Sequence, residues 1–212
     1  DAILVCTPPN LHYEIAKSAL HQGIHAFIEK PFTTKAAEAY ELANLYTKAG
    51  LVNQAGYVNR FNDVFSKVKY FLNEGIIGKI INFKSEMYSC TINRKQEGSS
   101  WRSSHESGGG AIFEMASHAI DLVNYLIGKP DKVVGSTIQN IYSKNVEDAM
   151  SSTFLYRNGI SGIICINWSD TSYRKPINKI EFFGNGGRIL ADQYSLKIYL
   201  NQSDERHGLR KG

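Results

Sequence analysis

The sequence predicts an α/β plus α+β protein: an incomplete parallel sheet, then an open, mostly antiparallel sheet domain with helices on one face. Three observations carry this prediction. Residues 2–7 and 24–28 are short continuous apolar runs, each followed by a helical stretch, as in strands buried within a parallel sheet. Beyond Arg60 the chain turns to many short strand-like segments separated by glycine turns, which favours antiparallel pairing. Within that second half, Gly108 and Gly128 enclose one nearly all-apolar helix, which needs a sheet to pack on. Residues 1–60 and 61–212 therefore read as two domains, joined near residues 58–64.

In chain order, the first apolar run is closed by Pro8, Pro9 and Asn10, and a helix over 11–22 follows, with Asn10 as its cap and Gly23 as its stop. The second strand, 24–28, is broken by Glu29, Lys30 and Pro31. Thr33 or Thr34 opens a helix to Lys48, Gly50 ends it, and residues 51–57 make a third strand. Short joints between strand, helix, strand, helix and strand define a parallel unit. A further helix is expected over 64–74. Strands are then expected at 80–91, 132–141, 150–156, 161–169, 179–183, 188–190 and 196–200. Asn158-Gly159 and the Gly184 to Gly187 segment read as tight turns. A sheet that opens at residue 1 has an uncovered edge, and no glycine-rich phosphate loop follows its first strand, so the chain reads as a fragment.

The totals exclude several classes. Lysine and arginine number 24 against 20 acidic residues, and they are scattered, so no nucleic-acid partner is indicated. No apolar run reaches membrane-spanning length and no signal peptide is recognisable, so the expectation is a cytoplasmic protein with no membrane partner. Cys6, Cys90 and Cys165 are far apart in apolar runs, which favours buried free thiols over a disulfide.

Chemistry-bearing residues concentrate on the glycine-bounded helix. At about 100° per residue, Glu114, His118, Asp121 and Tyr125 fall within an arc of roughly 60°. A narrow ionisable stripe on an otherwise apolar helix marks a pocket wall, because buried charge needs a reason. Glu114, four residues before His118, would hold its ring and favour the protonated form. His118 then suits proton exchange with a hydroxyl, the plainer alternative being a satisfied buried histidine. Asp121 reads more as an anchor between the helix and a neighbouring loop. Lys30 lies at the carboxyl end of a parallel strand, where ligands bind, and Pro31 holds it extended or in a cis bond. Trp101-Arg102 suits an anionic group, and His12 sits near a helix start, where backbone N–H groups favour anions. No metal is expected: His105, Glu106, Glu114 and His118 lack a ligand spacing.

Together, Thr7-Pro8-Pro9-Asn10 with Glu14, Glu29-Lys30-Pro31, Gln54 with Tyr57-Val58-Asn59-Arg60-Phe61, Trp101-Arg102, Gly108-Gly109-Gly110 and His118 with Asp121 run in a recognisable order. They resemble the glucose–fructose oxidoreductase and inositol dehydrogenase family of nicotinamide-dependent oxidoreductases. The resemblance implies a Rossmann domain lacking its first strands, followed by the open-sheet domain, and a homo-oligomer (dimer or tetramer) formed through that sheet's open face. It implies NAD or NADP as cofactor and a sugar, polyol or nucleotide-sugar substrate. Lys30 would be the pocket lysine and His118 the general acid/base, with Glu114 beside it. Thr7, Pro8, Asn10, His12, Glu29, Gln54, Trp101 and Arg102 would line the cofactor, and Asn59, Arg60 and Asp121 the substrate. Glu114 stands where many relatives carry aspartate, which shifts the carboxylate by about one methylene. That departure keeps open a second reading, a non-catalytic sugar-sensing or regulatory protein on the same fold.

Overall fold

In the computed structural model, which describes residues 1–95 and 100–212, the strands form one sheet of three and one of seven. The first sheet has strands β1 (Ala2–Val5), β2 (His25–Ile28) and β3 (Asn53–Ala55), parallel and in that order. Helices α1 (His12–His21) and α2 (Ala36–Lys48) connect them. Val5, Ala26 and Ile28 face Ala16, Leu20, Leu42 and Tyr46 in a small core, and the buried Tyr46 hydroxyl donates to the Ala16 carbonyl at 2.8 Å. Burial on both faces is not found: Leu4 is 74% exposed, because α1 and α2 cover only the face carrying Val5 and Ile28.

Two helix starts differ from expectation. Pro9–Leu11 forms a 3-10 turn, and α1 begins at His12 with Leu11 in the cap position and no side-chain capping bond, so Asn10 is not the cap. Proline fixes the turn one step before the helix. α2 begins at Ala36, because the Thr33 hydroxyl donates to the Lys35 carbonyl at 2.8 Å rather than capping. Gly23 and Gly50 end their helices with φ of 70° and 66°, as expected.

Helix α3 (Asp63–Asn73) is capped by Asn62, whose Oδ1 accepts from the backbone N–H groups of Val64 and Phe65. The larger sheet comprises β4 (Ile80–Tyr88), β5 (Lys132–Gln139), β6 (Ala149–Leu155), β7 (Ser161–Asn167), β8 (Ile177–Gly184), β9 (Gly187–Asp192) and β10 (Leu196–Leu200). Its order is β10-β9-β8-β4-β7-β6-β5, and among the described residues only the β4–β7 pair is parallel. Phe83, Ile164, Ile166, Ile180, Phe182 and Ile189 point to the helical face and form one core with Phe65, Val68 and Leu122. The opposite face stays open: Val134, Ile163 and Phe183 are exposed there. Gly135, at φ 60°, lies in a bulge of β5 opposite β6, where a left-handed residue is needed.

The central helix is not regular. Ile112–Ala116 is a π-turn, and α4 (Ser117–Ile127) continues from it to Gly128 at φ 87°. A π-turn holds more residues than an α-turn, so it slips the phase of every side chain before it relative to those after it. Glu114 lies inside that turn, whereas His118 and Asp121 follow it. Free Cys6 is exposed and Cys90 and Cys165 are half-buried, so none is sequestered as expected.

Candidate active site

Lys30 lies two residues beyond the end of β2 and is joined to Pro31 by a cis peptide. Its Nζ crosses to the second half and donates to the Glu114 carbonyl within the π-turn at 2.8 Å. The same ammonium is 3.6 Å from Glu114 Oε1, and Arg102 Nη2 is 3.6 Å from that oxygen. Glu114 therefore neutralises two cations, and among the described residues its carboxylate pairs with Lys30 and Arg102 rather than His118. The expected carboxylate–imidazole pair is absent because the π-turn rotates the carboxylate toward Lys30.

His118 departs from expectation in its charge as well. Burial, and then the nearby Lys30 ammonium, lower its pKa from 6.5 to about 4. The ring is neutral near pH 7 and is a proton acceptor there. Its Nδ1 is buried without a hydrogen-bond partner, and the Tyr57 ring packs edge-on at 6.0 Å. Burial, followed by the Asp121 charge, raises the Tyr57 pKa, so it stays a phenol. A cavity of about 230 Å³ opens beside His118, with Asn59, Asn178 and Gln193 in its wall.

Arg60 and Asp121 take one another. Nε–Oδ2 is 2.8 Å and Nη2–Oδ1 is 2.6 Å, a fork that ties the segment before α3 to α4. Arg60 also lies over the Tyr125 ring at 5.7 Å. Asp121 thus anchors the helix, as the anchoring reading has it, and its oxygens are engaged rather than free for a substrate.

The residues expected to line a cofactor divide in two. Thr7, Asn10 and Gln54 are exposed and Pro8 and Glu29 half-buried, at the carboxyl ends of the parallel strands. Glu29 Oε2 accepts from the Lys30 backbone N–H at 3.1 Å. Trp101 and Arg102 form a 3-10 turn with the guanidinium 4.5 Å from the indole centre, and Arg102 Nε is buried without a partner. His12 is different: it is fully buried, with Nδ1 and Nε2 each 2.9 Å from a carbonyl, of Pro31 and Thr7. It clamps two loops together and has no ring nitrogen left for a ligand.

Two buried acids were not singled out from the sequence. Glu147 Oε1 accepts from Ile112 N–H at 2.7 Å, and its carbonyl accepts from Ala111 N–H, seating the start of the central helix. Gly110, at φ 101°, lies against that carboxylate, and a Cβ there would meet Oε1 at 2.5 Å. Asp148 accepts from the N–H groups of Ile141, Tyr142 and Ser143, the Ser143 hydroxyl and the Trp168 indole. Burial opposes its ionisation, yet these bonds outweigh it and hold its pKa below the ordinary value. The one signal was an acidic pair flush against an apolar strand, where buried charge requires donors. Among the described residues, no group of three or more His, Cys, Asp or Glu is placed to hold a metal ion, and no helix is long and apolar enough to cross a membrane.

Residues 1–57 match the model of the oxidoreductase family with an NAD-binding Rossmann fold, and residues 65–190 match that of the GFO/IDH/MocA C-terminal domain. The chain belongs to the GFO/IDH/MocA oxidoreductase family. An uncharacterized oxidoreductase of this kind from Schizosaccharomyces pombe is 32% identical over 133 residues, covering 63% of this chain and 35% of its own. The myo-inositol 2-dehydrogenase of Thermotoga maritima is 27% identical over 200 residues, covering 91% of this chain and 56% of its own. A levoglucosan dehydrogenase solved with NADH and levoglucosan superposes with a TM-score of 0.88 at 22% identity, over 99% of this chain and 60% of that one. The GFO/IDH/MocA chain described here thus spans roughly a third to three fifths of these relatives' lengths, and the solved neighbour establishes the shared fold.

Proposed function

We propose that the protein is an NAD(P)-dependent oxidoreductase that moves a hydride between a nicotinamide and a hydroxyl-bearing carbon of a sugar, polyol or nucleotide sugar. The observation that carries this reading is a neutral, half-buried His118 within the field of the Lys30 ammonium, with Lys30 coming from the parallel sheet and His118 from the helix on the other. In this reading residues 1–60 form the cofactor side and 61–212 the substrate and assembly side. The residues at the carboxyl ends of β1 to β3 fit the nicotinamide end of a dinucleotide: Thr7 and Asn10 are exposed, and the orphaned Arg102 Nε is a donor without an acceptor. No glycine follows β1 directly, so the diphosphate is not assigned to these residues.

When bound, the nicotinamide supplies the hydride acceptor. His118 takes the hydroxyl proton of the alcohol, for which its neutral form is the competent one. Lys30 polarises the same oxygen as negative charge develops on it, and Glu114 holds the ammonium in place. Tyr57 fixes the imidazole plane. The names of relatives support polyols and sugars as the substrate class: one is a myo-inositol 2-dehydrogenase, and another was solved with levoglucosan. The exposed apolar face of the larger sheet supports a dimer or tetramer, and the free cysteines fit a reducing, cytoplasmic setting.

The test is to offer sugars and polyols with NAD and NADP and follow the absorbance of the reduced nicotinamide. His118→Ala should lower turnover by about 10²- to 10⁴-fold while leaving cofactor affinity in place. Unchanged turnover would remove His118 from the chemistry. Ligand binding without reduction by the wild-type protein would favour the sugar-sensing reading that Glu114 keeps open.

A further inference from the structure

On the floor of the His118 cavity, Asn178 is 5% exposed, and neither its Oδ1 nor its Nδ2 has a hydrogen-bond partner. A buried amide with both ends unmet is costly and uncommon, and its placement is not loose. Asn178 N–H donates to Gln193 Oε1 at 2.9 Å, and Gln193 Nε2 donates to the Pro176 carbonyl at 2.9 Å. One glutamine therefore pins the strand on both sides of Ile177. The Gln193 carbonyl in turn accepts from Asn62 Nδ2, the cap of α3, at 3.1 Å. In the β4–β8 register Asn178 stands opposite Met87, and it alternates with buried Ile180 and Phe182, so its side chain faces the helices rather than the open side. His118 Nδ1, in the same cavity, is orphaned too.

We propose that Asn178 is a specificity-determining residue whose amide reads one hydroxyl of a polyhydroxylated substrate beside the carbon that reacts at His118. The inference rests on the oxidoreductase reading above. An amide offers one acceptor and one donor side by side, the complement of a hydroxyl that both gives and takes a hydrogen bond. A carboxylate or ammonium ligand would satisfy only one of the two atoms. A site built this way discriminates strongly against an analogue lacking the hydroxyl, because the amide is then left buried and unpaired.

The experiment titrates the chain calorimetrically with myo-inositol and its mono-deoxy analogues, and repeats the titrations with Asn178→Leu. In wild type, one deoxy analogue should bind at least about tenfold more weakly than myo-inositol. In Asn178→Leu, myo-inositol should fall to that same level and the discrimination should vanish, while thermal stability holds or rises because an orphaned amide has left the core. Asn178→Ser, which shortens the side chain without adding apolar bulk, should give the same loss and serves if the leucine variant does not fold. Equal affinities of variant and wild type overturn the proposal, as does a loss of stability with discrimination intact. No binding of any polyol to wild type overturns the functional reading itself, a result distinct from equal binding by both proteins.

Discussion

The depressed pKa of His118 makes stability depend on pH in a way that can be worked out in advance. Folding moves the group from 6.5 to about 4, so below pH 6.5 the unfolded chain binds a proton that the folded chain refuses. Stability on this account is complete above 6.5 and is lost as pH falls through the window down to about 4. At 1.36 kcal/mol per unit the full loss is about 3 kcal/mol, an upper value because part of the residue still meets solvent. The assay is urea unfolding of wild type and His118→Gln at closely spaced pH values across this window. Wild type should lose stability faster than the variant, with the difference reaching about 2–3 kcal/mol at the acid end. Lys30→Met should recover part of it, since the Lys30 charge is the second cause of the shift after burial. Parallel curves for wild type and His118→Gln would refute a neutral, charge-repelled imidazole.

Three further outcomes follow from the packing. Asp148→Ala strands five donors, the N–H groups of Ile141, Tyr142 and Ser143, the Ser143 hydroxyl and the Trp168 indole, and should cost about 3 kcal/mol or more by denaturant unfolding. Because folding depresses the Asp148 pKa, that contribution should be present above the unfolded carboxylate value and fade as pH falls through the folded one. Gly110→Ala forces a side chain onto a φ of 101° and against Glu147 and should lower stability by about 2 kcal/mol, read as a lower Tm. In a double-mutant cycle of Arg60→Met with Asp121→Asn, the coupling should be about 1–2 kcal/mol, moderated because Arg60 is 44% exposed while Asp121 is 10%.

Much of the fold was legible because period and punctuation agree in this chain. The parallel unit followed from apolar runs ended by Pro8 and Glu29-Lys30-Pro31, and the antiparallel sheet from Asn158-Gly159 and the Gly184 to Gly187 turn, both of which join neighbouring antiparallel strands. Lys30 and His118 are singled out by the sequence because charge on an apolar background stands out. What was missed depended on facts that spacing does not encode. A helical wheel assumes one pitch, so the π-turn at Ile112–Ala116 was invisible, and with it the transfer of Glu114 from His118 to Lys30. His12 looked like an anion site because its sequence neighbours do, yet its partners, Thr7 and Pro31, lie on two loops that only the fold joins. Glu147 and Asp148 directly precede β6 and Asn178 is the second residue of β8, positions near strand ends where polarity ordinarily means solvent.

The one parallel pairing in the larger sheet has a consequence for how the molecule is made. β4 is the sheet's centre, yet its two neighbours, β7 and β8, come from far downstream. Such long loops close slowly, and β4 cannot find its place by zipping up a hairpin. On the ribosome it emerges early as a naked ribbon, with Phe83 unsheltered until Ile164 and Phe182 arrive. A nascent chain halted before β8 therefore carries a sticky middle strand, which among the described residues α3 and α4 can shield while synthesis catches up.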